Sequence, residues 1–276
     1  MIRRTALCLA LAALPLGIGA CENVVPKTAL GYTADAKRAY EAAMQEFDAH
    51  NWIEAQNAMR EVKRKYSYSK YARLAELRIA DADFQQDKFA DAIREYRQFV
   101  HDHRSDAEDV TYARSKIAEA EYAQISDSIV LAAGEERDQA VVYDAYKELR
   151  GYLHDYPDAK ESKKMRELLA DVTSRLVRHE LYVARFYLGK NNYDAAVLRI
   201  QYALRNFAPG LEGAPGDYGP SGLEPEALLL LGETYLKMRK YPDARSQFQT
   251  ILGRFQDSGL TVPAKNYLEW MRQRGV

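Results

Sequence analysis

Cysteine is scarce in this chain. Two in 276 residues cannot build a disulfide framework. An excess of one charge is missing as well. Lys and Arg total 39 against 40 Asp and Glu, whereas a dedicated nucleic-acid binder carries a basic surplus. Nine Pro and 15 Gly are too few for a collagen-like or long low-complexity chain. The five His are poorly spaced for a metal. His101 and His103 would point apart on a helix, a metal pair wants i and i+4, and His50, His154 and His179 stand alone. No GxxxxGK-S/T phosphate loop and no GxSxG elbow occurs, and no nucleophile–base pattern stands out. The sequence therefore offers no catalytic residue, no cofactor and no metal ligand. Its carboxylates read as solvated helix faces matched by Lys and Arg. Tyrosine is the abundant residue, with 20 copies.

A long apolar run is also missing, but the first residues carry an address. Met1-Ile2-Arg3-Arg4 is basic, and Thr5 to Ile18 is nearly all apolar. At about fourteen residues this run is too short to span a bilayer, so 1–20 reads as a signal peptide. It ends Leu16-Gly17-Ile18-Gly19-Ala20-Cys21, which resembles the bacterial lipobox. That resemblance implies a lipidated Cys21, and two or more chains anchor stably where one is marginal. The alternative is an ordinary signal peptide that leaves Cys21 a free thiol. Glu22, where an inner-membrane retention signal has Asp, favours the outer membrane. Residues 21–32 lack periodicity and hold Pro26 and Gly31; they read as a tether.

The remainder repeats. A bulky residue, then Ala three later, then a ring eleven beyond it, recurs at Trp52/Ala55/Tyr66, Phe89/Ala92/His103, Val142/Ala145/Tyr156, Tyr193/Ala196/Phe207 and Tyr241/Ala244/Phe255. Four past each Ala stand Met59, Tyr96, Leu149, Ile200 and Phe248, and seven past it Val62, Phe99, Tyr152, Ala203 and Ile251. Those spacings mark one helix face. Twelve before the Ala a small residue recurs at Ala43, Ala80, Ala184 and Gly232, and the third repeat fits through Ala118. This is the tetratricopeptide (TPR) pattern of antiparallel helix pairs. The expected fold is an all-α, TPR-type helical-hairpin solenoid of about five repeats plus a C-terminal capping helix. Residues 33–126 hold repeats 1 and 2 and the first helix of repeat 3; residues 127–276 hold the rest. The stack could bend or divide between repeats 1–2 and repeats 3–5. Three inserts exceed the repeat length. Asp127 to Val141 separates the helices of repeat 3. Pro157 to Arg178 keeps helical spacing through Met165, Leu168, Leu169, Val172 and Leu176, so it predicts one helix of about thirty residues, roughly 45 Å long. Ala208 to Pro225 is rich in Gly and Pro and predicts a loop. Thr33 with Asp35, and Thr261 before Pro263, look like helix starts.

TPR stacks present extended concave surfaces, so binding is the expected activity. Counting from the small residues puts Tyr40, Phe47, Leu77, Phe84, Ser115 and Tyr122 in the groove, with Lys37 one turn before Tyr40. An aromatic groove with a cation suits an extended peptide carrying aromatic side chains and a carboxylate. The same rings could equally pack on neighbouring helices. Arg60 to Arg73 is the most basic stretch, with Tyr66, Tyr68 and Tyr71 interleaved. It reads as a solvated helix end and turn, or else as a site for an anionic partner.

The lipobox, tether and five TPRs together resemble the BamD family, lipoprotein subunits of the outer-membrane β-barrel assembly machine. The match is carried by Asn51-Trp52, Tyr68-Ser69-Lys70-Tyr71-Ala72, Glu136-Arg137-Asp138-Gln139, Tyr156-Pro157-Asp158 and above all Arg175 to Leu188. The resemblance implies a non-enzymatic scaffold on the periplasmic face of the outer membrane. Such a subunit docks on the POTRA domains of the barrel-forming protein, joins accessory lipoproteins and receives unfolded outer-membrane proteins through their C-terminal aromatic signal. Arg199 matches the family arginine that reaches an acidic residue of the barrel partner. Ser67 stands where many members have Pro. Two other readings compete: a periplasmic TPR lipoprotein that activates cell-wall synthesis or envelope constriction, and a hydrolase whose site leaves no motif.

Overall fold

The computed structural model describes residues 29–125, 136, 138–207 and 221–276. The leader, Cys21, most of the tether, the insert from 127 to 135 and the Gly/Pro loop as far as 220 lie outside the described residues. Within them eleven helices follow one another without a strand: α1 (Ala29–Asp48), α2 (Trp52–Lys65), α3 (Lys70–Gln85), α4 (Phe89–Asp102), α5 (Ala107–Ala123), α6 (Ala140–Asp155), α7 (Ser162–Gly189), α8 (Tyr193–Phe207), α9 (Glu224–Lys237), α10 (Tyr241–Arg254) and α11 (Thr261–Gln273). Each packs on its predecessor and its successor, and α11 closes the stack on α10. This is the all-α TPR solenoid. The tether gives way to helix at Ala29, four residues before the start expected at Thr33, whereas the Thr261 start holds.

The columns explain the packing. All five alanines of the second helices, Ala55, Ala92, Ala145, Ala196 and Ala244, are fully buried, as are Met59, Tyr96, Leu149, Ile200 and Phe248 four residues on. The small residues of the first helices, Ala43, Ala80, Ala118 and Ala184, are buried as well. At Gly232 the approach is so tight that an added Cβ would lie 2.5 Å from the Phe248 ring. That ring is buried and stacked on Tyr267 at 5.0 Å, so it has nowhere to retreat. Gly232→Ala is therefore expected to cost about 1–3 kcal/mol of stability, despite the roughly 1 kcal/mol by which helix propensity favours Ala. Urea unfolding measures this, and an unchanged midpoint would show that the ring can yield.

The turns repeat as well. His50, Asp87, Asn191 and Arg239 each take a left-handed conformation, with φ of 60°, 58°, 55° and 60°. Each stands two residues before the aromatic that opens the next helix. Around them the N–H groups of Asn51, Lys88, Asn192 and Lys240 donate to the carbonyls of Glu46, Asp83, Tyr187 and Tyr235. This six-to-one bond closes the end of a helix and sets up a sharp reversal. Non-glycine residues occupy the left-handed position in all four, which is why glycine did not mark the turns in the sequence.

Helix α7 realises the long helix expected from the 157–178 insert, at 28 residues. It packs on α5, α6 and α8. The largest buried core runs from Ala118 of α5 through α7 to Met271 of α11. Two smaller cores lie between α3, α4 and α5 and between α1, α2 and α3.

Candidate binding surfaces

One face of the stack is made by α1, α3 and α5. Ala80, 1% exposed, brings α3 close to α4 and carries the next residue, Asp81, inward. Asp81 Oδ1 accepts hydrogen bonds from the hydroxyls of Tyr96 and, at 2.9 Å, Tyr112. Its Oδ2 lies 2.6 Å from Arg78 Nη1. The Arg78 guanidinium sits 5.5 Å from the centre of the Tyr112 ring, and its buried Nε has no hydrogen-bond partner. Burial works against the Arg78 charge, but Asp81 and the surrounding tyrosines outweigh it and lift its pKa. Tyr40 of α1 joins from the other side; burial raises its hydroxyl above the ordinary value, with Arg78 opposing and Asp81 assisting. Lys116 of α5 extends the row. Its Nζ lies 5.1 Å from the Phe84 ring and 5.8 Å from the Tyr112 ring, and it pairs at 2.9 Å with Glu119.

The groove residues expected from the sequence are distributed as follows. Tyr40 stands 5.7 Å from the Tyr71 ring, and Phe47 meets Trp52 edge-on at 5.1 Å. Phe84 meets Phe89 edge-on at 5.5 Å, and all three rings are half-buried. Lys37 is exposed and pairs with Glu41 at 3.5 Å. The Tyr122 hydroxyl donates to Asp171 at 2.9 Å. Leu77 corrects the expectation: it is 1% exposed and belongs to the core between α3 and α4. Ser115 is buried too, its hydroxyl donating to the Tyr112 carbonyl at 2.7 Å. In α3 and α5 the outward position falls one residue later, at Arg78 and Lys116. Counting from the small residue slipped there by one.

The carboxylates also differ from expectation. Asp81, Asp83, Glu119, Glu121 and Glu180 are all buried rather than solvated. Four of them face a cation: Asp81 faces Arg78, Glu119 faces Lys116 and Lys164, Glu121 faces Arg97, and Glu180 faces Arg199. Burial pushes the Glu121 carboxyl above its ordinary value, with Arg97 pulling it back. Arg199, on α8, reaches Glu180 with Nη1 at 3.3 Å while staying about half exposed. Exposed Leu198 and Tyr202 flank it on the same helix. The Tyr202 hydroxyl meets that of Tyr143 at 3.0 Å, and both rings lie against Phe207.

Among the described residues no group of three His, Cys, Asp or Glu side chains could hold a metal ion, and no helix is long and apolar enough to cross a membrane. His103 pairs with Glu76 at 2.9 Å, and His101 and His154 each bond the Asp that follows.

A family model described as an outer membrane lipoprotein, YfiO, matches residues 33–212. The outer membrane protein assembly factor BamD of Caulobacter vibrioides is 25% identical over 243 residues, covering 88% of this chain and 73% of that protein. BamD of Neisseria meningitidis serogroup A is 24% identical over 240 residues, covering 82% and 83%. A thermophilic TPR protein of Thermus thermophilus aligns at a TM-score of 0.33 and 15% identity, over 84% of this chain and 98% of that one.

Proposed function

The chain belongs to the YfiO family of outer membrane lipoproteins, and from that premise we propose that it is a non-enzymatic assembly factor for outer-membrane β-barrel proteins. It is held at the periplasmic face of the outer membrane by lipid on Cys21. It docks on the POTRA domains of the barrel-forming subunit, works with accessory lipoproteins and receives unfolded barrel proteins. The assembly-factor name of its relatives supports the general role.

The observation that carries the receiving role is the face of α1, α3 and α5. Arg78 and Lys116 stand among Tyr40, Phe84 and Tyr112. A guanidinium about one quarter exposed and an ammonium over aromatic rings offer a carboxylate two charge-assisted partners. The rings offer edge and face contacts to aromatic side chains. An extended segment ending in an aromatic residue and its carboxylate fits that chemistry. Docking is assigned to Arg199. Its guanidinium has five N–H donors, and the contact with Glu180 engages Nη1, so a second carboxylate can be received from a partner while Glu180 holds the side chain in place.

A single experiment addresses both roles. A tagged full-length copy with a photocrosslinker at Tyr40 is irradiated in cells and purified from detergent-solubilised membranes. The expected result is a large POTRA-containing barrel as the main partner, with unfolded barrel proteins crosslinked at Tyr40 and not at exposed Ile53 on α2. A preparation dominated by cell-wall synthases, or equal crosslinking at both positions, contradicts the proposal. Arg199→Glu is a poor docking probe, because it would set a second carboxylate against buried Glu180. Arg199→Gln combined with Glu180→Gln removes the pair without stranding a charge. That double variant is expected to lower recovery of the barrel at least about tenfold, the scale of one buried charge-assisted contact.

A further inference from the structure

The basic stretch from Arg60 to Arg73 belongs to neither surface above. Helix α2 ends in Lys63, Arg64 and Lys65, each more than half exposed. Lys63 and Arg64, with the turn that follows and the start of α3, border an open depression of about 570 Å³ that also includes Arg60, Tyr68 and Lys70. Tyr68 is 98% exposed. Two carboxylates answer these five cations: Glu61 pairs with Arg64 at 2.7 Å and Lys65 at 3.3 Å, and Glu76 with Lys63 at 3.3 Å. Arg73, behind them, is neutralised by Asp106 and Asp109, each at 2.8 Å.

The start of the described chain lies against this same turn. The Tyr32 hydroxyl donates to the Lys65 carbonyl at 3.5 Å, and the Tyr32 and Tyr66 rings meet edge-on at 5.4 Å. Leu30, the second residue of α1, is 85% exposed. Ala29 comes eight positions after Cys21, so even a fully extended chain separates them by no more than about 29 Å. In sequence, the next turn holds Asp102, Asp106, Glu108 and Asp109 with Arg104. The cations of this hairpin end lie beside the start of the described chain, and so within reach of the tether.

We propose that this hairpin end is a second membrane contact, which lays the cations of α2 and α3 on the anionic headgroups of the bilayer that holds the Cys21 lipid. The inference rests on the lipidated-Cys21 reading. A short tether keeps the bilayer at high effective concentration for this patch, which a freely diffusing acidic protein does not match. A basic patch beside a lipid anchor adds to the hold of the chains. Tyr68 is suited to the headgroup level, where tyrosine is enriched. The contact would fix the orientation of the first repeats against the membrane rather than leave them swinging on the tether.

The test uses the mature chain, residues 21–276 with Cys21→Ser, which retains every described residue and lacks leader and lipid. It is sedimented with vesicles of phosphatidylcholine alone or with about one third phosphatidylglycerol. A surplus of three charges, at roughly fivefold each, predicts a preference for the anionic vesicles on the order of 100-fold. Salt should erase it, since the Debye length shrinks to about 3 Å at 1 M. Arg60→Glu, Arg64→Glu and Lys70→Glu together should abolish the preference. The same number of reversals at Lys237, Arg239 and Lys240 should leave it intact. Circular dichroism confirms folding, and a Gln version of the first triple serves if the Glu version unfolds. Equal binding to neutral vesicles, equal loss in both triples, or capture of polyglutamate without vesicle binding would overturn the proposal. Radiolabelled palmitate fed to cells expressing the full chain reads the Cys21 anchor separately. An unlabelled chain that still prefers anionic vesicles would remove the anchor and leave the patch.

Discussion

Replacing Asp81 with alanine is expected to destabilise the protein by about 3–5 kcal/mol, the cost of breaking a buried ion pair by removing one partner. Three groups lose their acceptor at once. Tyr96 and Tyr112 both donate to Asp81 Oδ1, and Arg78 loses its ion pair. Tyr96 is fully buried, so its hydroxyl cannot turn to water. Asp81→Asn keeps an acceptor oxygen for the tyrosines and loses only the charge, so it should cost clearly less. Urea unfolding of the two variants measures the difference. Equal losses would mean that the charge alone matters; an Asp81→Ala loss under about 1 kcal/mol would mean that the cluster is ornamental, since even one orphaned buried hydroxyl costs that much. The same variant bears on function. Freed from Asp81, Arg78 no longer stands fixed between Tyr40 and Tyr112, and crosslinking of unfolded barrel proteins at Tyr40 should fall with it.

The second large effect is alkaline. Burial, with acidic neighbours, raises the hydroxyl pKa of Tyr96 and Tyr112. Burial and the Tyr202 bond raise that of Tyr143. Burial, with Glu161 assisting, pushes Tyr152 up to about 12, and burial with a bond to Glu233 takes Tyr267 to about 12. An unfolded chain ionises these groups from about pH 10 upward, while the folded one keeps them protonated. The folded state then binds more protons, so stability is intact below pH 10 and is lost as pH rises toward and past 12. Each group held protonated forfeits about 1.4 kcal/mol per pH unit over that window. Fully buried Tyr96 and Tyr152 alone would remove roughly 3 kcal/mol by pH 11. Unfolding free energies at pH 9, 10 and 11 should therefore fall steeply, while tyrosinate absorbance of the folded protein lags behind the ordinary titration. A flat profile to pH 11 would refute the burial of these hydroxyls.

The repeat was legible because helix packing leaves a periodic trace. Ala55 and its four counterparts are small for one reason, the crossing of two helices, and that reason recurs in every hairpin. The α7 insert was legible for the same reason, since Met165, Leu169, Val172 and Leu176 are all buried on one face. The surface was less legible. Leu77 and Arg78 are adjacent, and a count from Ala80 cannot tell which of them points out when the helix is rotated by a fraction of a turn. Glu121 and Glu180 were missed because their partners, Arg97 and Arg199, are distant in sequence, whereas charge patterning on a single helix sees only i+3 and i+4 neighbours. Asp81 and Glu119 do have Arg78 and Lys116 three residues before them, but a pair on one helix does not reveal its own burial. A buried tyrosine hydroxyl commonly finds water or a carbonyl. Tyr96, Tyr112, Tyr122 and Tyr267 instead donate to carboxylates on other helices. Composition announces tyrosine but not its acceptor.

Helix α7 acts as a splint. It is clamped by α5, α6 and α8. Near its middle Asp171 takes the Tyr122 hydroxyl from α5 and is itself held by Arg175 at 2.7 Å. A rod about 42 Å long clamped in this way does not act as a hinge. A pull on the Arg199 end would travel along it to α5, and so to the Lys116 end of the aromatic face. Under the proposed docking and receiving roles, strain between barrel and client would be borne by this single beam.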